Sequence, residues 1–176
     1  MKTLVIIIHP HPENSMINKR WIEELIQYPD QYTLHNLHAL YPDEKIDIEK
    51  EQQLIESHDT IVFQFPFYWF SSPPLLKKWL DEVLTYGWAY GSKSGYKVAN
   101  KKIALAISAG IAKEDYSING KYKYTLGQLT TPFEITFDYV KADYQPLFAF
   151  YGAEHHPTPE IIEKSTEEYI SFLKSL

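Results

Sequence analysis

Three short stretches pair residue types that bind anions or flat rings with loop chemistry that would expose them. In the first, His9-Pro10-His11-Pro12 runs through Glu13 and Asn14 into Ser15, Met16, Ile17 and Asn18. A serine opening a helix can cap it by accepting from a first-turn N–H, or it can turn its hydroxyl to a phosphate. The free N–H groups of that first turn attract the same anion. His9, at the tip of an apolar run, would be a further donor. In the second stretch, Pro66 and Pro73-Pro74 bracket Phe67-Tyr68-Trp69-Phe70-Ser71-Ser72. Proline fixes its own φ and pushes the residue before it out of the helical region, so no helix runs through this segment. Burying a large apolar side chain is worth roughly 1.5–3 kcal/mol. These aromatics are therefore covered, either by a neighbouring loop as a small core or by something flat and apolar. The third stretch, Ser108-Ala109-Gly110, is small enough for a ligand to approach the backbone, and equally serves as a plain turn.

Other chemistries find less support. His9 and His11 are separated by one residue, but no further ligands lie at zinc spacing, and His155-His156 reads as a polar loop, so no metal is expected. The chain has no cysteine, hence no disulfide, no thiolate nucleophile and no cysteine-held metal. That fits a cytoplasmic protein, and it means that any redox chemistry comes from a bound cofactor. A net charge of −6, with Lys77-Lys78 and Lys101-Lys102 as isolated pairs, argues against a nucleic-acid partner. No apolar run reaches the length of a membrane span, so no membrane insertion is expected.

The elements that must hold these stretches follow from periodicity. At 176 residues and 44% hydrophobic content the chain suits one domain, residues 1–176, better than two. The apolar run Thr3–Ile8 reads as a buried strand, and Ser15–Ile26 as a helix capped by Asn14 or Ser15. Tyr32–Asn36 is a second strand, Leu40–Asp47 a turn, Ile48–Ser57 a helix and Ile61–Phe63 a third strand. Pro74 opens a helix that carries Leu75, Leu76, Trp79, Leu80, Val83 and Leu84 on one side. Ile103–Ile107 is a fourth strand, followed by a polar, tyrosine-rich segment from Lys113 to Tyr124. Leu126–Tyr139 is a helix with Pro132 near its start or at a bend, Leu147–Tyr151 a fifth strand and Pro159–Leu176 a last helix. Strands alternating with helices predict a doubly wound, three-layer α/β domain of the flavodoxin-like kind, with a five-stranded parallel sheet in the order 2-1-3-4-5. In such a sheet all three stretches fall at the carboxyl ends of strands, where ligands bind.

Three segments carry a resemblance to a known family. They are H-P-H-P-E-N-S-M-I-N-K (His9 to Lys19), E-K-E-Q-Q-L (Glu49 to Leu54) and the long run from Phe63 through P-F-Y-W-F-S-S-P-P-L-L-K-K-W-L to Gly91. Together they resemble the flavodoxin-like NAD(P)H:quinone oxidoreductases, in particular the bacterial branch of general stress flavoproteins and ancillary subunits of glutathione-gated potassium efflux systems. The resemblance implies a flavin whose phosphate lies at His9 and at Ser15, Met16, Ile17 and Asn18. Its ring edge would lie along Phe67, Tyr68, Trp69 and Phe70, with backbone N–H groups of Tyr68 to Phe70 facing the reduced ring. Its other edge would meet Ile107, Ser108, Ala109 and Gly110. The family usually has Thr-Thr-Gly-Gly at this last place, so hydrogen bonding there falls to Ser108 and to backbone N–H groups.

The same resemblance implies proton handling by Tyr116 and Tyr122. It also implies a two-fold homodimer in which Trp88 and Tyr90 help to wall the substrate slot; packing within one chain is the other reading of these two residues. NADH or NADPH would give a hydride to the flavin, and a quinone or similar acceptor would take two electrons in its turn. The short chain favours FMN. FAD is the alternative, since Gln52 resembles a position on the adenosine side of FAD-containing relatives. Two other functions fit the same likeness: a regulatory partner of a membrane potassium efflux system, and a one-electron carrier.

Overall fold

Strand β1 (Thr3–Ile7) and the residue after it are apolar without interruption because both faces of the strand are covered, and Leu4 to Ile8 are buried. The computed structural model describes residues 2–176. After β1 come α1 (Met16–Leu25), β2 (Tyr32–Asn36), α2 (Leu37–Leu40), α3 (Ile48–Glu56), β3 (Thr60–Pro66) and α4 (Pro74–Val83). The second half holds β4 (Lys102–Ala109), α5 (Leu126–Leu129), α6 (Thr131–Tyr139), β5 (Asp143–Tyr144), β6 (Phe148–Tyr151) and α7 (Pro159–Ser175). Every strand pairing is parallel, and the order is β2-β1-β3-β4-β5, with β6 also on β4.

Side chains alternate across the sheet, so each strand feeds two cores. Leu4, Ile6, Phe63, Phe65 and Leu105 face one layer, where Ile55 of α3, Trp79 of α4 and Phe137 of α6 cover them. Val5, Ile7, Val62, Ala104 and Ala106 face the other, beneath Trp21 of α1 and Tyr169 of α7.

The expected order is present, with one change at the fifth place. Instead of a single strand, β5 and β6 lie end to end along β4. Lys102 is opposite Asp143, whereas Ala106 is opposite Phe148, so the spacing grows from 41 to 42 residues and one residue is extra. Pro146 lies in the gap and lacks the N–H that a continuous ladder needs. The helix expected over Leu126–Tyr139 is likewise two pieces. Thr130 ends α5 and opens α6, its hydroxyl donating to the carbonyls of Leu126 and Gly127, and Pro132 sits in the first turn of α6. A four-residue helix precedes the turn expected after Leu40, capped by Asn36, whose Oδ1 accepts from the N–H of Ala39. Strand β3 runs three residues past Phe63 because Gln64, polar but wholly buried, continues it.

Candidate active site

The carboxyl ends of β1, β3, β4 and β6 open onto one cleft of about 410 Å³. His9, Ser15, Met16, Phe67, Tyr68, Ser108, Gly110 and Glu154 are on its walls. All three sequence stretches are thus brought together, joined by a fourth loop after β6.

At the β1 end, Pro12–Asn14 form one turn of 3₁₀ helix that delivers Ser15 to the start of α1. Ser15 Oγ accepts from the backbone N–H of Asn18 at 3.1 Å, so the serine is a cap. The N–H groups of Met16 and Ile17 have no acceptor among the described residues and stand open at the helix end. The Ile17 side chain is in the core, so this residue presents backbone, not side chain, to the cleft, whereas Asn18 is fully buried behind it with its N–H committed to Ser15. His9 is buried, and its Nδ1 accepts from the N–H of His11 at 3.1 Å. The proton of the neutral ring therefore sits on Nε2. Burial, chiefly, pushes the imidazole below its ordinary value; nearby His38 and His11 act in the same direction and Glu13 opposes them.

At the β3 end the aromatic loop is a tight turn held by Ser71 N–H to Tyr68 O at 2.9 Å. Its two central residues, Trp69 (φ 49°) and Phe70 (φ 61°), are both left-handed. Side chains other than glycine resist that conformation by roughly 1–2 kcal/mol each. Trp69 is 94% exposed, so packing does not repay the strain. The turn leaves the N–H groups of Tyr68, Trp69 and Phe70 without acceptors among the described residues, at the rim of the cleft.

At the β4 end Ile107 and Ala109 are buried, leaving the Ser108 hydroxyl and the backbone at Gly110 to face the cleft. A β-carbon on Gly110 would lie 2.6 Å from Glu154 Oε1, so any larger residue there would have to turn the Glu154 side chain aside. The segment beyond β4 packs Tyr116 behind Phe67, buried beside the cleft; neither Tyr116 nor Tyr122 is on its walls. The Tyr116 ring centroid is 6.1 Å from Phe67, 5.2 Å from Tyr122 and 5.8 Å from Tyr151, and Tyr122 meets Phe70 edge-on at 4.9 Å. Burial first, then the neighbouring Tyr122, Tyr151, Glu154 and Asp115, pushes the Tyr116 phenol up to about 12. It is a neutral donor throughout the working range of pH.

Trp88 and Tyr90 lie outside this cleft. Trp88 Nε1 donates to Glu56 at 2.7 Å. Tyr90 packs on Tyr86 and Tyr139 and lines a second, more apolar groove of about 690 Å³ that Phe70 also reaches. The Gln52 amide is engaged within the chain. It donates to Val83 O at 2.9 Å and Thr85 Oγ1 at 3.0 Å, fixing the end of α4. Sequence reasoning missed Tyr151 and Glu154; the apolar run before them marked a strand, but only the pairing of β6 with β4 carries them to Gly110 and Tyr116. No helix among the described residues is long and apolar enough to cross a membrane.

A doubly wound parallel sheet with open N–H groups on two loops at its carboxyl edge defines a nucleotide-binding α/β protein. The chain belongs to the flavodoxin-like fold family, which it matches over residues 1–173. It is 47% identical over 175 residues to the uncharacterized NAD(P)H oxidoreductase YrkL of Bacillus subtilis, covering 99% of each chain. General stress protein 14 of Treponema denticola, solved in complex with FMN, superposes with a TM-score of 0.94 at 46% identity over 99% of each chain. An NADPH-quinone reductase from P. pentosaceus superposes with a TM-score of 0.87 at 28% identity over 98% of each chain.

Proposed function

We propose that the cleft holds FMN and that the protein is an NAD(P)H oxidoreductase that makes two-electron reductions of quinones or similar acceptors. The observation that carries this reading is the set of unpaired donors around one cleft. The N–H groups of Met16 and Ile17, with the Ser15 hydroxyl, suit a phosphate at one end, and those of Tyr68, Trp69 and Phe70 suit a ring edge at the other. When bound, FMN supplies a ring that takes a hydride from NADH or NADPH and passes two electrons on.

The rest is the work of the chain. The first turn of α1 anchors the phosphate. Backbone N–H groups of the aromatic turn, fixed in place before any charge develops, stabilise negative charge on the reduced ring. Phe67, Tyr116 and Tyr122 keep water from that edge. Tyr116 keeps its proton because its pKa is raised and donates a hydrogen bond to the developing oxyanion of the acceptor, with Tyr122 packed against it. With Gln52 committed to α4, nothing in that region argues for an adenosine, so FMN is preferred to FAD.

The groove between Phe70, Tyr90 and Tyr139 is the face on which a second copy would close the acceptor slot in a homodimer. Heat release of the cofactor with mass spectrometry tests the flavin, and stopped-flow mixing with NADPH tests the activity, for which rapid bleaching is expected. Flavin-loaded protein that oxidises neither NADH nor NADPH would replace this reading with the regulatory one, attachment to a membrane potassium efflux protein. A cytoplasmic address accompanies either reading.

A further inference from the structure

Behind the floor of the cleft runs a chain of buried hydrogen bonds that starts far from it. The hydroxyl of Tyr169, on α7, lies 3.0 Å from Gln64 Oε1; Gln64 Nε2 lies 3.2 Å from Asn18 Oδ1. Asn18 Nδ2 in turn lies 2.8 Å from Ser108 Oγ and 3.3 Å from Ser15 Oγ. Tyr169, Gln64 and Asn18 are wholly buried and do not line the cleft, whereas the two serines do.

The direction of these bonds follows from the donor inventory. An amide oxygen only accepts and an amide nitrogen only donates. Once Tyr169 gives its proton to Gln64 Oε1, each amide passes donor character onward, and both serine oxygens end as acceptors. A hydroxyl that accepts still has a proton to give. Among the described residues neither Ser15 nor Ser108 donates to a protein group, so both protons are left for a ligand. Burial holds the Tyr169 phenol protonated, so the chain does not invert with pH.

We propose that Tyr169 and Gln64 are positioning residues: by fixing the orientation of Asn18, they set the hydroxyls of Ser15 and Ser108 as hydrogen-bond donors into the cleft. The inference rests on the FMN reading, because phosphate oxygens and the carbonyl oxygens of a flavin ring edge are acceptors that such donors match. With both amides reversed, Ser108 would donate backward to Asn18 and present only lone pairs to the ligand.

The test compares Tyr169→Phe and Gln64→Met with Ser165→Ala. The last removes a 3.2 Å hydrogen bond from Trp21 Nε1 between the same two helices and touches neither serine of the cleft. FMN is titrated into each apoprotein, and the midpoint potential of the bound flavin is measured. Loss of one neutral hydrogen bond predicts FMN binding weakened about three- to ten-fold in Tyr169→Phe and Gln64→Met. The midpoint potential should move negative in both, while Ser165→Ala changes neither quantity. Unchanged affinity and potential in the first two, or an equal change in all three, overturns the proposal.

NMR of the parent apoprotein reads the orientation without any variant. Proximity of the Asn18 Nδ2 protons to the Ser108 β protons supports the proposal, and proximity of those amide protons to Gln64 alone overturns it. A parent that takes up no FMN overturns the cofactor reading, and the amide orientation then decides the buried chain by itself.

Discussion

Glu154 closes on Gly110 so tightly that its carboxylate occupies the space of the missing side chain, with Oε1 2.6 Å from where a β-carbon would be. The backbone enforces the approach, since the Glu154 N–H donates to Gly110 O at 3.0 Å and the Ala153 N–H to Ala109 O at 3.0 Å. Only the exposed end of the Glu154 side chain would have to move for Gly110→Ala. We expect that variant to cost less than about 1 kcal/mol of stability, well under the cost of overpacking a rigid core. Turning Glu154 away removes a negative neighbour that helps to raise Tyr116. The Tyr116 phenol should then titrate lower than in the parent, read by ultraviolet absorbance.

Tyr116→Phe deletes the donor and keeps the ring that packs on Phe67. Turnover with a benzoquinone should fall about ten-fold, the scale of a hydrogen bond to a charged oxygen. Flavin reduction by NADPH, which needs no proton from this residue, should be unaffected. Because the phenol titrates near 12, the parent should show no loss of quinone turnover from this group between about pH 6 and pH 10. A fall in that window that disappears in Tyr116→Phe would remove the role assigned to it.

The aromatic turn predicts a stability gained at the expense of function. Trp69 is left-handed and almost wholly exposed, so Trp69→Gly relieves backbone strain and sacrifices little buried surface. The apoprotein should gain about 0.5–1 kcal/mol, seen as a higher Tm. The freed turn should also hold its N–H groups less firmly, with weaker flavin binding by titration. Strain of this kind, kept where nothing packs, is what a site that must aim backbone donors would retain.

Much of this architecture was legible because the central strands are continuous apolar runs. Leu4–Ile8 and Ile103–Ile107 could be buried on both faces and nothing else, and their order followed from alternation with helices. The aromatic stretch announced its loop through Pro66 and Pro73-Pro74. The features that stayed hidden depend on long-range pairing. Gln64 falls just past the strand read as Ile61–Phe63, and nothing marks it as part of the sheet until its partners Asn18 and Tyr169, 46 and 105 residues away, are known. Pro146 splits the last strand only because β4 demands a ladder at that place. Gln52, on a helix surface, gave no sign that it would hold the end of α4, and Glu154 gave none that it would lie against Gly110.

Glu51 supplies the last prediction. Its carboxylate is 1% exposed and accepts from Tyr41 OH at 2.6 Å and from Trp79 Nε1 at 2.8 Å, and pairs with His35 Nε2 at 2.7 Å, tying α3 to β2, to the turn after α2 and to α4. Burial alone would raise its pKa, but the hydrogen bonds from His35, Tyr41 and Trp79 outweigh burial and hold it below the ordinary 4.5. A carboxyl with a lowered folded-state pKa stabilises the fold fully above its unfolded value, and that stability is lost as pH falls through the folded value. Denaturant melts of the parent should therefore show a loss of stability beginning below about pH 4.5. Glu51→Gln should flatten that acid limb, since no carboxylate remains to protonate. Glu51→Ala leaves the buried Trp79 N–H without an acceptor, and the half-buried His35 and Tyr41 without theirs, and should cost about 1–3 kcal/mol at neutral pH. Because Trp79 is packed between Glu51 and Phe63 of β3, the strand that leads into the aromatic turn, this loss should also loosen α4 and weaken flavin binding at a distance.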